Sequence, residues 1–162
     1  MHELKHYGRL ALMAFASFAS MYVLMYAMVD NIANVYPNVN QLYMAALMTA
    51  PMVVIEIAMM GRVYVNKVLN GAIMAASVVA LIVFWLLIRH QAAVSNTQFL
   101  KSMIPHHAGA ILMCERAPIS DPGIEALCRT IVSSQESEIL QMKTKLNELE
   151  NSARRDVPGS AG

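Results

Sequence analysis

The sequence predicts an all-α protein in which three transmembrane helices are followed by an extramembrane antiparallel helical hairpin. Hydrophobic residues make up 57% of the 162 residues and charged residues only 14%, whereas a soluble domain is about 45–50% apolar and about 25% charged. The charges are also segregated, because those between Leu10 and Ile88 are only Asp30, Glu56, Arg62 and Lys67. The chain therefore divides into an apolar body and a charged C-terminal segment.

The composition excludes several classes of protein. Disorder requires low hydrophobicity and high net charge, and this chain has neither. Two cysteines are too few for a disulfide-rich scaffold, and a formal net charge of +1 lacks the basic excess of a nucleic-acid-binding module. No pair of nucleophile and general base is visible, so we do not predict an enzyme.

The apolar body contains three runs long enough to cross a bilayer, which takes about 20 apolar residues. The first exceeds the apolar stretch of a signal peptide and is followed by no A-x-A cleavage site, so we expect it to be retained. These runs cover about residues 10–29, 42–60 and 72–88, within a predicted membrane domain of residues 1–90.

The basic residues of the short loops predict the orientation of these helices. Lys5 and Arg9 precede the first run, Arg62 and Lys67 follow the second, and the first loop, residues 30–41, contains no Lys or Arg. Because basic loops stay in the cytoplasm, we expect a cytoplasmic N-terminus and a C-terminal segment on the opposite side of the membrane.

Methionines recur in the second apolar run. Met44, Met48 and Met52 follow one another at intervals of four residues and continue to Glu56, so these side chains share one helix face. These methionines are either a ladder of thioether ligands for Cu(I), with Glu56 as a functional acid inside the membrane, or adaptable side chains that pack between helices. In the second case Glu56 reaches the interface between the membrane and water. The first interpretation would make the chain a small copper-transport protein.

Residues 91–151 predict two amphipathic helices. Ser95 with Gln98 is typical of a helix start, and Pro105 predicts a kink or restart inside the first helix. The stretch A-P-I-S-D-P-G at residues 117–123 predicts a turn, after which Asp121 caps the second helix. Residues 152–162 are predicted to form a flexible tail.

Helical projection places polar and sulfur side chains on the apolar stripe of each helix. The first stripe comprises Phe99, Met103, His106, Ala110 and Met113, with Leu100, His107 and Cys114 beside it. The second comprises Ile131, Gln135, Ile139, Met142, Leu146 and Leu149, with Glu138 beside it. Folding the hairpin would bring the polar members of the two stripes together.

Buried polar groups need partners, which are either one another or a metal ion. Imidazole and thioether donors favour copper, especially Cu(I), whereas imidazole and carboxylate donors also allow zinc or iron. The predicted metal ligands are Met103, His106, His107, Met113, Gln135, Glu138 and Met142. The alternative is a structural network that only locks helix packing.

The two cysteines flank the predicted turn. Cys114 precedes it and Cys128 follows it, so antiparallel helices would place the two side chains opposite each other. Outside the cytoplasm they are expected to form a disulfide. Two thiolates acting as soft ligands are the alternative.

Residues 99–113 read F-L-K-S-M-I-P-H-H-A-G-A-I-L-M, and residues 131–142 read I-V-S-S-Q-E-S-E-I-L-Q-M. The paired motifs resemble the bacterial family called domain of unknown function 305, and the preceding apolar runs resemble its membrane-anchored subgroup. The resemblance implies a helical, ferritin-like fold with links to copper binding in the bacterial envelope. It also implies the same metal-ligand positions.

The chain departs from soluble members of that family, because it has one helical hairpin where they often carry two. A single hairpin buries too little surface to be stable alone, so we expect a homo-oligomer or coverage by the membrane helices. The expected protein stores, buffers or delivers copper at a bacterial inner membrane, with a periplasmic hairpin. Its expected partners are the lipid bilayer, other copies of itself and a metal-donor or metal-acceptor protein.

Overall fold

A computed structural model describes residues 2–155 of the chain, with side chains from residue 5 onward. Within these residues the structure is all-α, with five α-helices and no strand. The helices are α1 (His2–Leu24), α2 (Val39–Met59), α3 (Lys67–Arg89), α4 (Asn96–Arg116) and α5 (Pro122–Arg155), and two short 3-10 turns lie between α1 and α2. The all-α prediction is confirmed.

In the described part of the chain, three helical stretches are long and apolar enough to cross a membrane, as predicted. They are Lys5–Met28, Val39–Met59 and Lys67–Arg89. Helical structure starts before each predicted apolar run, because a helix propagates into polar flanking residues once it is nucleated. Asn66, for example, caps α3 by accepting a hydrogen bond from the backbone N of Leu69.

The chain forms two compact units. The three-helix unit comprises the N-terminal residues to Met25 together with Asn40–Ala93, and the α4–α5 unit comprises Tyr26–Val39 together with the described residues from Val94 onward. Residues 26–39 lie inside the predicted membrane domain of residues 1–90, yet they pack with the later helices.

The three-helix unit has a small core at the end where α2 leads into α3. Leu10, Ile57 and Tyr64 are buried there. The Tyr7 hydroxyl donates to Asn70 Oδ1 at 2.7 Å, and Asn70 Nδ2 donates to the carbonyl oxygen of Tyr64 at 2.7 Å. These bonds connect α1, the α2–α3 loop and α3.

Local signals start both helices of the α4–α5 unit where the sequence predicts. The Ser95 side chain accepts from the backbone N of Gln98, and Asp121 Oδ1 accepts from the backbone N of Ile124 at 2.9 Å. Each bond satisfies an N–H that has no partner inside its helix. The described part of α5 continues to Arg155, into the predicted tail, and the rest of that tail lies outside the described residues.

Helix α4 continues through Pro105 without restarting. Proline has no N–H, so the carbonyl oxygen of Lys101 loses its intrahelical donor. Asn38 Nδ2 donates to this oxygen at 3.4 Å, and Gln98 Oε1 accepts from the backbone N of Val39 at 2.9 Å. Residues 26–39 thus dock on α4 and supply the donor that the proline removes.

The core of the α4–α5 unit lies between its two long helices. Its buried members are Ile104, Ala108, Ile111, Ile139 and Leu146. On α5 this agrees with the predicted stripe. On α4 the buried face is shifted by one residue, because Phe99 and Met113 of the predicted stripe are exposed.

Candidate metal centre

The two adjacent histidines of α4 have different surroundings. His107 is buried, with 9% of its surface exposed, whereas His106 is exposed. Their ring centroids are 6.1 Å apart. Consecutive helix residues are rotated by about 100°, so only His107 faces α5.

The His107 ring faces an acceptor at each nitrogen. Nδ1 lies 3.0 Å from the carbonyl oxygen of Met103, and Nε2 lies 2.7 Å from Glu138 Oε2. A carbonyl oxygen only accepts, so Nδ1–H is the donor in the first contact. The second contact needs a further proton between Nε2 and the carboxylate. Both ring nitrogens are therefore engaged, and a metal ion at His107 would have to replace one of these contacts.

Glu138 lies at the solvent edge of this contact, with 48% of its side chain exposed. Ser134 Oγ, one turn earlier on α5, donates to Glu138 Oε1 at 2.8 Å. The hydrogen bonds from Ser134 and then from His107 lower the pKa of Glu138 below its usual value of 4.5. Ser134 is not among the residues predicted from the sequence, although its i, i+4 spacing from Glu138 is a signal for such a bond.

Acid titration should reveal the role of the Glu138 carboxylate. Because its pKa is lowered on folding, it contributes stability that is fully present above the unfolded value of 4.5 and is lost as the pH falls through the folded pKa. In Glu138→Gln the melting temperature should therefore fall less steeply over this acidic range. Circular dichroism melts of full-length chain at several pH values measure this effect.

The matched control is Glu136→Gln, which changes an exposed carboxylate on the same helix. It should keep the acid dependence of the parent chain. An identical pH dependence in the parent and in Glu138→Gln would contradict the assigned role of Glu138.

The other predicted ligands of the α4–α5 unit do not converge on one point. Gln135 is half-buried, and its Oε1 has no hydrogen-bond partner among the described residues. Met142 packs against the core, and the Met103 side chain is half-buried. Met113 is 53% exposed. Residues 2–155 contain no group of three or more His, Cys, Asp or Glu side chains that could hold a metal ion.

Cys114 and Cys128 form a disulfide, with their Cα atoms 5.2 Å apart. This separation is ordinary for the bond. Each half-cystine lies close to the α4–α5 turn, so the bond links the two helices covalently near that end. In this state neither sulfur is a thiolate ligand.

The intramembrane candidates lie in the three-helix unit. Glu56 Oε1 accepts from the Tyr64 hydroxyl at 3.4 Å. Met44 and Met48 are 40% and 36% exposed, and Met52 is half-buried. The first two thioethers thus lie toward the outside of the unit rather than in its core.

A second charged contact joins α4 and α5 at the end of the helix pair away from the turn. Lys101 Nζ lies 2.8 Å from Glu150 Oε1, and this contact lowers the pKa of Glu150. This pair is not predictable from the sequence, since the residues are far apart in the chain and opposite charges are common on helix surfaces.

Fold and site together define a class of protein: a helical chain with three helices able to cross a membrane and a helix pair that carries an imidazole–carboxylate contact. The family model described as "Domain of unknown function (DUF305)" matches residues 86–151. An uncharacterized protein of Acanthamoeba polyphaga mimivirus is 33% identical over 141 residues, which cover 85% of this chain and 90% of that protein.

The chain therefore belongs to the DUF305 family, and the family predicted from residues 99–113 and 131–142 is confirmed. No solved structure matches the chain significantly.

Proposed function

We propose that the chain is a membrane-anchored metal-binding protein that stores, buffers or delivers copper, with Cu(I) as its cargo. The observation that carries this proposal is the exposed imidazole of His106, which makes no hydrogen bond within the described residues and follows the Met103 thioether by one helical turn. Imidazole and thioether are donors that suit Cu(I). Gln135 Oε1, which is buried and has no hydrogen-bond partner in the described part of the chain, is a further oxygen donor in the same unit.

The proposal includes a topology. Residues 26–39 connect two helices able to cross a membrane and dock on α4, which supports placing the first loop and the α4–α5 unit on the same side. A disulfide in that unit favours an oxidising compartment. We place the protein in a bacterial inner membrane with a cytoplasmic N-terminus and the α4–α5 unit as a periplasmic hairpin, half of a ferritin-like bundle.

Metal titration of full-length protein in detergent tests this function. Cu(I), Zn(II) and Fe(II) are added separately to the parent chain, to His106→Ala and to His107→Ala. We expect tight Cu(I) binding that is lost in His106→Ala, because an exposed donor is removed without disturbing the core. His90→Ala, which removes another exposed imidazole, is the matched control and should bind as the parent does.

A parent chain that takes up no Cu(I), or a His106→Ala variant that binds as tightly as the parent, would contradict the proposal. Zinc or iron uptake that depends on His107 would instead identify the imidazole–carboxylate pair as the binding group.

The second candidate is a structural module in which the two histidines only maintain helix packing. It is favoured by the two contacts of His107, which leave no ring nitrogen free. Under this function His107→Ala lowers the melting temperature, and metal content is the same in every variant.

A further inference from the structure

The α4–α5 unit is packed unevenly along its length. The buried side chains of α4 end at Ile111 and those of α5 start at Ile139, and none of the described residues 112–138 between them is buried. Residues 112–131, here called the turn end, comprise the end of α4, the turn and the start of α5. Helices in proteins are stabilised mostly by the packing of an apolar face, so the turn end gains little from this source.

The contacts within the turn end are local. Its apolar side chains Met113, Ile124 and Leu127 are 53%, 50% and 57% exposed. The backbone N of Ala117 donates to the carbonyl oxygen of Met113 at 3.0 Å, and the backbone N of Ile124 donates to Asp121 Oδ1 at 2.9 Å. Such bonds stabilise one segment each and do not join α4 to α5.

The Cys114–Cys128 disulfide joins the two helices within the turn end. Both half-cystines are half-buried, and both line a cavity of about 460 Å³ that opens to solvent. A small thiol can therefore reach the sulfur atoms while the core of the unit stays folded.

We infer that this disulfide is a redox switch for the turn end: reduction by a small dithiol opens residues 112–131, whereas the core between α4 and α5 stays folded. One thiolate of the dithiol attacks a half-cystine sulfur, the S–S bond breaks, and the other half-cystine leaves as a thiolate. The second thiol of the dithiol then displaces the first cysteine. Two electrons and two protons pass to the chain, which gains two thiols, and the dithiol becomes a disulfide.

The charges around the cavity select the reductant. The cavity is lined by three carboxylates and one guanidinium, those of Glu115, Glu125, Glu136 and Arg129. An excess of negative charge lowers the local concentration of an anionic reactant and raises that of a cationic one. The switch therefore responds to neutral or cationic thiols faster than to anionic thiols.

This inference does not depend on the proposed function. His106 lies outside the turn end, and so does the contact between His107 and Glu138. Reduction of the disulfide therefore leaves these groups in place, and copper binding through His106 and opening of the turn end are separate results.

Hydrogen exchange of the full-length protein in detergent, followed by mass spectrometry, tests the switch with dithiothreitol as the probe. We expect the amides of residues 112–131 to exchange roughly 100-fold faster after reduction, the contribution expected of a disulfide that closes a loop of about 15 residues. Amides of residues 104–111 and 139–146 should keep most of their protection. The double variant Cys114→Ala/Cys128→Ala is the control and should exchange like the reduced parent, with or without dithiothreitol.

The charge selectivity is tested with the rates of reduction by cysteamine, a cationic thiol, and by mercaptoethanesulfonate, an anionic thiol. The ratio of these two rates should fall severalfold in Glu115→Gln/Glu136→Gln. Glu148→Gln, which changes a carboxylate that does not line the cavity, should keep the ratio of the parent chain.

An equal loss of protection in the turn end and in the core would overturn the inference, because the disulfide would then stabilise the whole unit. Unchanged exchange after reduction, or a disulfide that dithiothreitol does not reduce in the folded chain, would overturn it as well. The same ratio of rates in the parent and in Glu115→Gln/Glu136→Gln would contradict the selectivity. Failure to bind Cu(I) would contradict the proposed function alone.

Discussion

Leu146→Ala should lower the free energy of unfolding of the α4–α5 unit by about 3 kcal/mol, the typical cost of truncating a core leucine. Leu146 is 2% exposed and belongs to the core between α4 and α5. The loss combines the transfer free energy of the deleted methyl groups with the cavity that they leave. Hydrogen exchange of the α4 backbone amides measures it, and this cost corresponds to roughly 150-fold faster exchange.

The matched control is Leu140→Ala, the same substitution on the same helix at a side chain that is 68% exposed. Its cost should stay within about 0.5 kcal/mol. Equal exchange rates in the two variants would contradict the placement of the core, because the difference between them depends on burial alone.

Replacing both Cys114 and Cys128 by alanine should also lower the free energy of unfolding by about 3 kcal/mol. The two residues are separated by 14 positions, and their bond restricts the unfolded chain by closing a loop of that length. The parent chain treated with a reductant should show the same loss. Hydrogen exchange of the α5 amides near the turn reports it.

The same double variant separates a structural role of these sulfurs from a ligand role. If the disulfide acts only as a covalent link between the helices, metal uptake that depends on His106 should persist in the double variant. The measurement is made at a temperature where the double variant remains folded. Loss of that uptake under these conditions would assign the sulfurs to the binding site. Glu115→Ala, next to Cys114 and exposed, is a control for local disturbance.

Much of the fold follows from local signals in the sequence. The apolar runs, the capping residues Ser95 and Asp121, and the turn at residues 117–123 act over a few residues, and each can be recognised without knowing what packs against it. The stripe of α5 is also predictable, since this helix buries one face against one neighbour. Its periodicity therefore has a single interpretation.

The stripe of α4 is different because this helix has two neighbours, α5 and residues 26–39. A projection selects the face of Phe99 and Met113 because that face is also rich in apolar side chains, although both residues are exposed in the structure. The face that packs against α5 is instead that of Ile104 and Ile111. Nothing local in residues 26–39 indicates that they pack on a helix that begins more than 50 residues later.

The sequence by itself determined the class of the protein, its three apolar helices, its family and the identity of the candidate donors, because composition, periodicity and motifs are properties of the chain. Only the tertiary structure decided which of two adjacent histidines is engaged. His107 turns toward Glu138 and His106 turns outward, and this depends on which face of α4 packs against α5. Packing depends on pairs of helices. The difference between the engaged imidazole of His107 and the exposed imidazole of His106 therefore exists only when α4 and α5 are in contact.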